Sequence, residues 1–151
     1  MNIHVTRARG SDAGELRRVA IQSKSHWGYP PEWLERFAAL FELTPKQVES
    51  RPCYCIRDGR ILAWYSLKPS GTIAILDDLW VAPGEIGRGL GRTLFEHALE
   101  RARALGALRL EWEADPNAVP FYLHMGGLVT GDVETSMGRR IPTMAIGLGA
   151  D

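Results

Sequence analysis

Residues 72–113 limit the fold more than any other stretch. Residues 72–81 are an apolar-rich run that Pro83 stops, as expected of a strand. A glycine-rich loop, residues 84–91, follows and opens into a segment with Leu90, Leu94, Phe95, Ala98, Leu99 and Ala102 at helical spacing. Gly106 stands where a helix C-cap belongs. Residues 107–113 then alternate Leu108, Leu110 and Trp112 with Arg109, Glu111 and Glu113, the pattern of a half-buried strand. Strand, helix and strand in this order predict a parallel crossover, the only clear one in the chain.

The remaining periodicities surround that unit. Residues 2–8 read as a first strand, and Asp12 with Glu15 resembles a capping box opening a helix over 12–25. A second helix carries Trp33, Leu34, Phe37, Ala38, Leu40 and Phe41, and Thr44-Pro45 caps one more helical turn. Residues 53–57 and 61–68 flank Asp58-Gly59 and predict an antiparallel hairpin. Asp115-Pro116 opens a short helix over 116–125, and residues 129–136 and 141–148 read as two final antiparallel strands. The expectation is a mixed α+β, or α/β, sheet domain in which most strands pair antiparallel.

Composition narrows the function. A chain of 151 residues fits a single domain, 1–151. Its 18 basic and 18 acidic residues balance, which argues against sequence-independent nucleic-acid binding. No apolar run reaches the ~18–20 residues of a membrane span, and residues 1–10 lack the apolar block of a signal peptide. A cytoplasmic protein is expected. Cys53 and Cys55, two apart on one strand, read as reduced packing residues, and no metal site is expected.

The loop itself is chemically suggestive. Glycines and free N–H groups at a helix start make a site for phosphate oxygens. A dinucleotide fingerprint would need glycine at Arg92, and a Walker loop would need lysine at Leu90, so both of those readings fail. What residues 81–94 do resemble is motif A of the GNAT superfamily of N-acetyltransferases, V-x-P-x-x-(Arg/Gln)-x-x-G-x-(Gly/Ala). Val81, Pro83, Gly89 and Gly91 match it, and Ile86 departs from the Arg/Gln position. Residues 115–127 are similar to motif B, N-x-x-A-x-x-F-Y-x-x-x-G-F. Ala118, Phe121, Tyr122 and Gly126 match, while Asp115 replaces the Asn and Gly127 the final Phe.

The resemblance covers essentially the whole chain. It implies a GNAT-type fold, with a central sheet of about 6–7 strands and about four helices, strands four and five splayed apart. It further implies acetyl-CoA as co-substrate, its pantetheine arm lying between those strands against Leu79, Trp80 and Val81. The pyrophosphate would rest on the N–H groups of Ile86, Gly87, Arg88, Gly89, Leu90, Gly91 and Arg92. Arg88 and Arg92 would lie near the 3′-phosphate, or be ordinary solvated arginines, and Asn117 would stand in for the missing Asn. Tyr122 is carried over as the acid for the departing thiolate. Among the strand carboxylates Asp77, Asp78, Glu111 and Glu113, Asp78 is the first choice of base. His26, Trp27, Tyr29 and Glu111 would face the acceptor, where aromatic walls suit an amine; Trp33, Phe37 and Phe41 read as packing. The implied activity is transfer of acetyl to a primary amine of a small molecule or protein, by direct attack in a ternary complex. The alternative is a non-catalytic acyl-CoA-binding or regulatory module. A homodimer is compatible with either.

Overall fold

The computed structural model describes residues 3–149. Its strands are β1 (Val5–Arg7), β2 (Cys53–Asp58), β3 (Arg60–Ser70), β4 (Ile73–Val81), β5 (Arg109–Glu113), β6 (Leu128–Glu134) and β7 (Arg140–Gly147). The helices are α1 (Ala13–Ser25), α2 (Pro31–Leu40), α3 (Pro45–Ser50), α4 (Leu90–Ala104) and α5 (Val119–His124). The sheet has seven strands in the order β1-β2-β3-β4-β5-β7-β6. β4 and β5 pair in parallel, and β1–β2, β2–β3, β5–β7 and β6–β7 pair antiparallel. The mixed, mostly antiparallel sheet and the single parallel crossover are those that the sequence predicts. Asn2, placed by that reading in the first strand, lies outside the described residues.

The chain groups into two compact units, one built from residues up to Ser66 with Asp78–His97, the other from Leu67–Asp77 with the chain from Ala98 onward. In the first unit Leu16, Val19 and Ala20 of α1 cluster with Val48, Cys53, Cys55, Ile61 and Trp64. The Trp64 indole N–H, fully buried, donates to the Leu16 carbonyl at 2.8 Å, which ties β3 to α1. Arg7 closes the end of α3: its guanidinium donates to the carbonyls of Val48, Glu49, Arg51 and Cys53 at 2.5–3.1 Å. Such charge-assisted bonds are stronger than neutral ones. Cys53 and Cys55 are buried free thiols, and burial, assisted by the negative charge of Asp78, pushes the Cys53 thiol up to about 12.

Two local expectations need correction here. Asp12 does not pair with Glu15 in a capping box. The Asp12 carboxylate accepts the Arg9 N–H at 2.8 Å and an Arg57 guanidinium N–H at 2.8 Å, while Glu15 accepts the Ile61 N–H at 2.7 Å. A 3-10 turn, Gly10–Asp12, precedes the helix and moves the cap upstream. Burial alone would raise the Asp12 carboxyl, but these bonds hold it below the ordinary carboxylate value. The hairpin is also tighter than a two-residue turn: Asp58 pairs with Arg60, leaving Gly59 at the tip with φ +75, and a bulge at Ile56/Arg57 absorbs the register shift. The reciprocal box expected at Thr44 is present, Thr44 Oγ1 accepting the Gln47 N–H and Gln47 Oε1 accepting the Thr44 N–H, and it makes α3 a fifth helix.

In the second unit the parallel register covers Ile73–Ile75 against Arg109–Glu111, whereas β4 runs on to Val81. Leu110 and Trp112 are buried, but Leu108, expected on their face, is 58% exposed. It precedes the strand, where its N–H bonds the Thr72 carbonyl and its carbonyl accepts the Leu148 N–H. The predicted helix over 116–125 divides into a 3-10 turn, Pro116–Ala118, and α5. After α5, Gly127 occupies the position where motif B has phenylalanine. A Cβ there would lie 2.9 Å from Trp112 Cζ2 and 3.1 Å from the Tyr122 carbonyl oxygen. The Trp112 ring thus fills the space.

Gly127→Ala is expected to cost about 1–3 kcal/mol through overpacking, and clearly less in a Trp112→Leu background, read as shifts in the denaturant midpoint. Equal costs in both backgrounds would mean that Trp112 is not what excludes a side chain.

Candidate active site

The loop after β4 delivers its glycines to the start of a 15-residue helix. Thr93 N–H bonds the Gly89 carbonyl at 3.0 Å, so Gly89 is the N-cap of α4. The N–H groups of Leu90, Gly91 and Arg92 therefore belong to the first turn, which has no carbonyl one turn back to accept them. Gly87 and Gly89 have φ of +91 and +79, which L side chains rarely adopt, and a Cβ at either would meet open space. The loop is turned by its glycines and left accessible, as an anion cradle requires. The side chain of Ile86, at the Arg/Gln position of motif A, is 44% exposed.

Arg88 of the loop and Arg92 of α4 are both engaged. Arg88 bonds Glu85, and Arg92 bonds Glu96 at 3.0 Å one turn along α4. Glu85 is the residue that the sequence reading missed. It is buried, 6% exposed, and holds Arg60 at 3.3 Å as well as Arg88. The signal was a lone carboxylate in a loop otherwise made of glycine, arginine and apolar residues. Its pairing with two guanidinium groups offsets a charge that would otherwise repel phosphate.

Along β4, Leu79, Trp80 and Val81 are half-buried, and Asp78 is buried. Asp78 Oδ2 accepts the Ser66 hydroxyl at 2.6 Å and Oδ1 accepts the Trp80 indole N–H at 3.0 Å. The Trp80 ring meets Phe37 and Phe41 edge-on, at 5.8 and 6.2 Å between centroids. Tyr29 stacks on Trp33 at 4.2 Å, and Trp33 on Phe37 at 6.1 Å. His26 and Trp27 make a separate edge contact at 4.9 Å. The structure thus joins Tyr29 to residues of α2 expected only to pack. No residue of α2 is fully buried.

In the second unit, Tyr122 lies on α5, 7% exposed, with its ring 4.9 Å from that of Trp112 and 5.2 Å from that of Phe121. Burial first, and the Asp115 charge second, raise its phenol above the ordinary tyrosine value, so it keeps its proton near neutral pH. Asn117 donates from both its backbone N–H and its carboxamide to Asp115 Oδ1, each at 2.9 Å. Asp115 and Asn117 therefore act together as the cap of the turn before α5. Glu111 pairs with Arg109 at 2.9 Å. Among the described residues there is no group of three or more His, Cys, Asp or Glu placed to hold a metal ion, and no helix long and apolar enough to cross a membrane.

Comparison with known proteins agrees with this architecture. No curated protein matches the sequence at a significant level. The fold is similar to that of the PaiA N-acetyltransferase from Thermoplasma acidophilum, solved in complex with coenzyme A. The TM-score is 0.81 at 18% identity, over 97% of this chain and 99% of that one. It is equally similar to a GCN5-related N-acetyltransferase from Rhodopseudomonas palustris, at TM-score 0.81 and 23% identity, over 98% and 97% of the two chains. YncA from Salmonella typhimurium, solved with its cofactor acetyl-CoA, shares the fold at TM-score 0.70 and 19% identity, over 100% and 96%. The model of the acetyltransferase (GNAT) family matches residues 18–126, which include the glycine loop, α4 and Tyr122. The chain belongs to the acetyltransferase (GNAT) family.

Proposed function

We infer that this protein transfers an acetyl group from acetyl-CoA to a primary amine of a small molecule or a protein. The observation that carries the reading is the start of α4, capped by Gly89 behind a glycine loop in which two residues have positive φ. That arrangement fits a pyrophosphate: the N–H groups of residues 87–92 and the helix dipole favour negative charge, the Ile86 N–H being bonded to the Pro83 carbonyl at 3.4 Å, and the first turn of α4 contains no acidic residue. The complexes of PaiA with coenzyme A and of YncA with acetyl-CoA support the same assignment.

The chemistry needs little from the protein beyond placement and two protons. A neutral amine nitrogen attacks the thioester carbonyl, the N–C bond forms, the C–S bond breaks, and sulfur leaves as thiolate. One proton leaves the nitrogen and one reaches the sulfur, so amine and thioester become amide and thiol. Leu79, Trp80 and Val81 are assigned to bond the pantetheine amides through their backbone, and His26, Trp27, Tyr29 and Glu111 to receive the acceptor. Asp78 is assigned to take the amine proton through water; a carboxylate offers about four lone-pair directions, so its bonds to Ser66 and Trp80 do not by themselves exhaust it. Tyr122 is assigned to the thiolate. Its raised pKa means that it holds a proton ready and stabilises the sulfur first as a hydrogen-bond donor.

Acetyl-CoA should raise the melting temperature, by an amount equivalent to about 2.7 kcal/mol at 100 times its Kd, and acceptor amines should release free thiol in its presence. Gly89→Asp should abolish the melting shift. Binding without thiol release across a broad amine panel would leave only an acyl-CoA-binding module.

Tyr122→Phe should lower kcat by up to ~10²-fold with acetyl-CoA affinity nearly unchanged, because the ring still packs on Trp112. A purely structural tyrosine would instead lower the melting temperature and leave kcat per folded molecule intact.

Asp78→Asn keeps an acceptor for the Trp80 indole, so a base role predicts a kcat loss of ~10²–10⁴-fold with little change in stability. Unchanged kcat would remove Asp78 from the chemistry.

A further inference from the structure

Lys24, in the last turn of α1, has its ammonium among four aromatic rings. Nζ lies 5.4 Å from the ring centroids of Tyr29, Trp33 and Phe37, and 5.9 Å from that of Trp80. All four are within the ~6 Å over which an aromatic face attracts a cation. The rings come from three places in the fold. Tyr29 lies between α1 and α2, Trp33 and Phe37 stand one turn apart on α2, and Trp80 is on β4.

Each wall is also fixed. Tyr29 stacks on Trp33, Trp33 on Phe37, and the Trp80 indole is tied to Asp78 at 3.0 Å. Lys24 and all four rings are half-buried, so solvent reaches the box.

We propose that this box is a binding site for a compact organic cation, of the alkylammonium class, and that Lys24 is its tethered internal occupant. The quadrupole of an aromatic face does not distinguish an ammonium on a lysine stem from one on a ligand. When a lysine side chain swings out, its four-carbon stem regains rotamer freedom, which offsets part of the attraction it gives up. A methylated ammonium fills the same volume with more carbon contact and less hydration than Lys24 Nζ. Tyr29, one wall of the site, is already assigned to the acceptor, and in that respect the site rests on the acetyltransferase reading. The rings favour the charged form, so the nitrogen they hold stays protonated or quaternary. An acceptor that uses the box therefore carries its reacting amine on a different atom.

The test is a titration of the full-length protein with tetramethylammonium chloride, at constant ionic strength and without acetyl-CoA, read by tryptophan fluorescence. Choline and its uncharged carbon isostere 3,3-dimethylbutanol serve as the charged and neutral pair. Removing the internal competitor in Lys24→Met, with Lys24→Gln as a second variant, should lower the Kd for tetramethylammonium at least about fivefold, the size of one solvent-exposed cation–π contact. Choline should bind and the neutral isostere should not. Trp33→Leu in the Lys24→Met background should abolish saturable binding, with melting temperatures checking that each variant is folded. Equal Kd values with and without Lys24, equal binding of the neutral isostere, binding that survives Trp33→Leu, or no saturable response in either lysine variant would overturn the proposal. Thiol release from acetyl-CoA, measured separately, shows which idea has failed. Turnover without cation binding sinks the box alone, and cation binding without turnover sinks the acetyltransferase reading alone.

Discussion

Two strands that pair in parallel cannot be joined by a turn, because the chain must travel back the length of the first strand before the second begins. The pairing of Ile73–Ile75 with Arg109–Glu111 imposes that return journey, and α4 makes it. The carboxyl end of β4 and the amino end of α4 are then connected by residues 82–89 alone. A short link that leaves a strand and enters a helix has to turn sharply, and Gly87 and Gly89 supply the conformations for it. The same turn aims the first N–H groups of α4 away from the helix. A topological demand of the sheet and an electrostatic opportunity for an anion are thus met by one stretch of backbone.

Two buried carboxylates, Asp78 before that stretch and Glu85 within it, are partnered by different means. Glu85 is held between the guanidinium groups of Arg60 and Arg88. Asp78 is held by neutral donors, the Ser66 hydroxyl and the Trp80 indole. The first arrangement cancels charge next to the glycine loop. The second sets two neutral hydrogen-bond donors on a carboxylate of the strand that carries the aromatic residue Trp80.

Much of this was legible in the chain. The crossover could be read because period-two and helical patterns stand side by side over residues 72–113, and the loop because its glycines follow a strand and precede a helix. The reading was weaker wherever the deciding partner is remote in sequence. Asp12 looked like half of a capping box with Glu15 until Arg57 and Ile61, from the β2–β3 hairpin, claimed the two carboxylates. Leu108 kept the alternation but stands outside the strand that would have buried it. Gly127 looked like a degraded motif until Trp112 accounted for the missing ring. Trp33 and Phe37 had the spacing of packing residues, and nothing local announces that Lys24 and Trp80 convert their exposed side into a cation box. Periodicity reports which face a residue is on, and says nothing of which remote group arrives there.

The state of the Cys53 thiol has a practical consequence. Burial pushes its pKa up to about 12, which disfavours the reactive thiolate, and Cys55 is equally enclosed. Both native cysteines can therefore stay in place while a single cysteine introduced on an exposed face, such as at Glu100 on α4, takes a dye or spin label. The protein is ready for site-specific spectroscopy without a cysteine-free background and without disturbing the core that those two sulfurs help to fill.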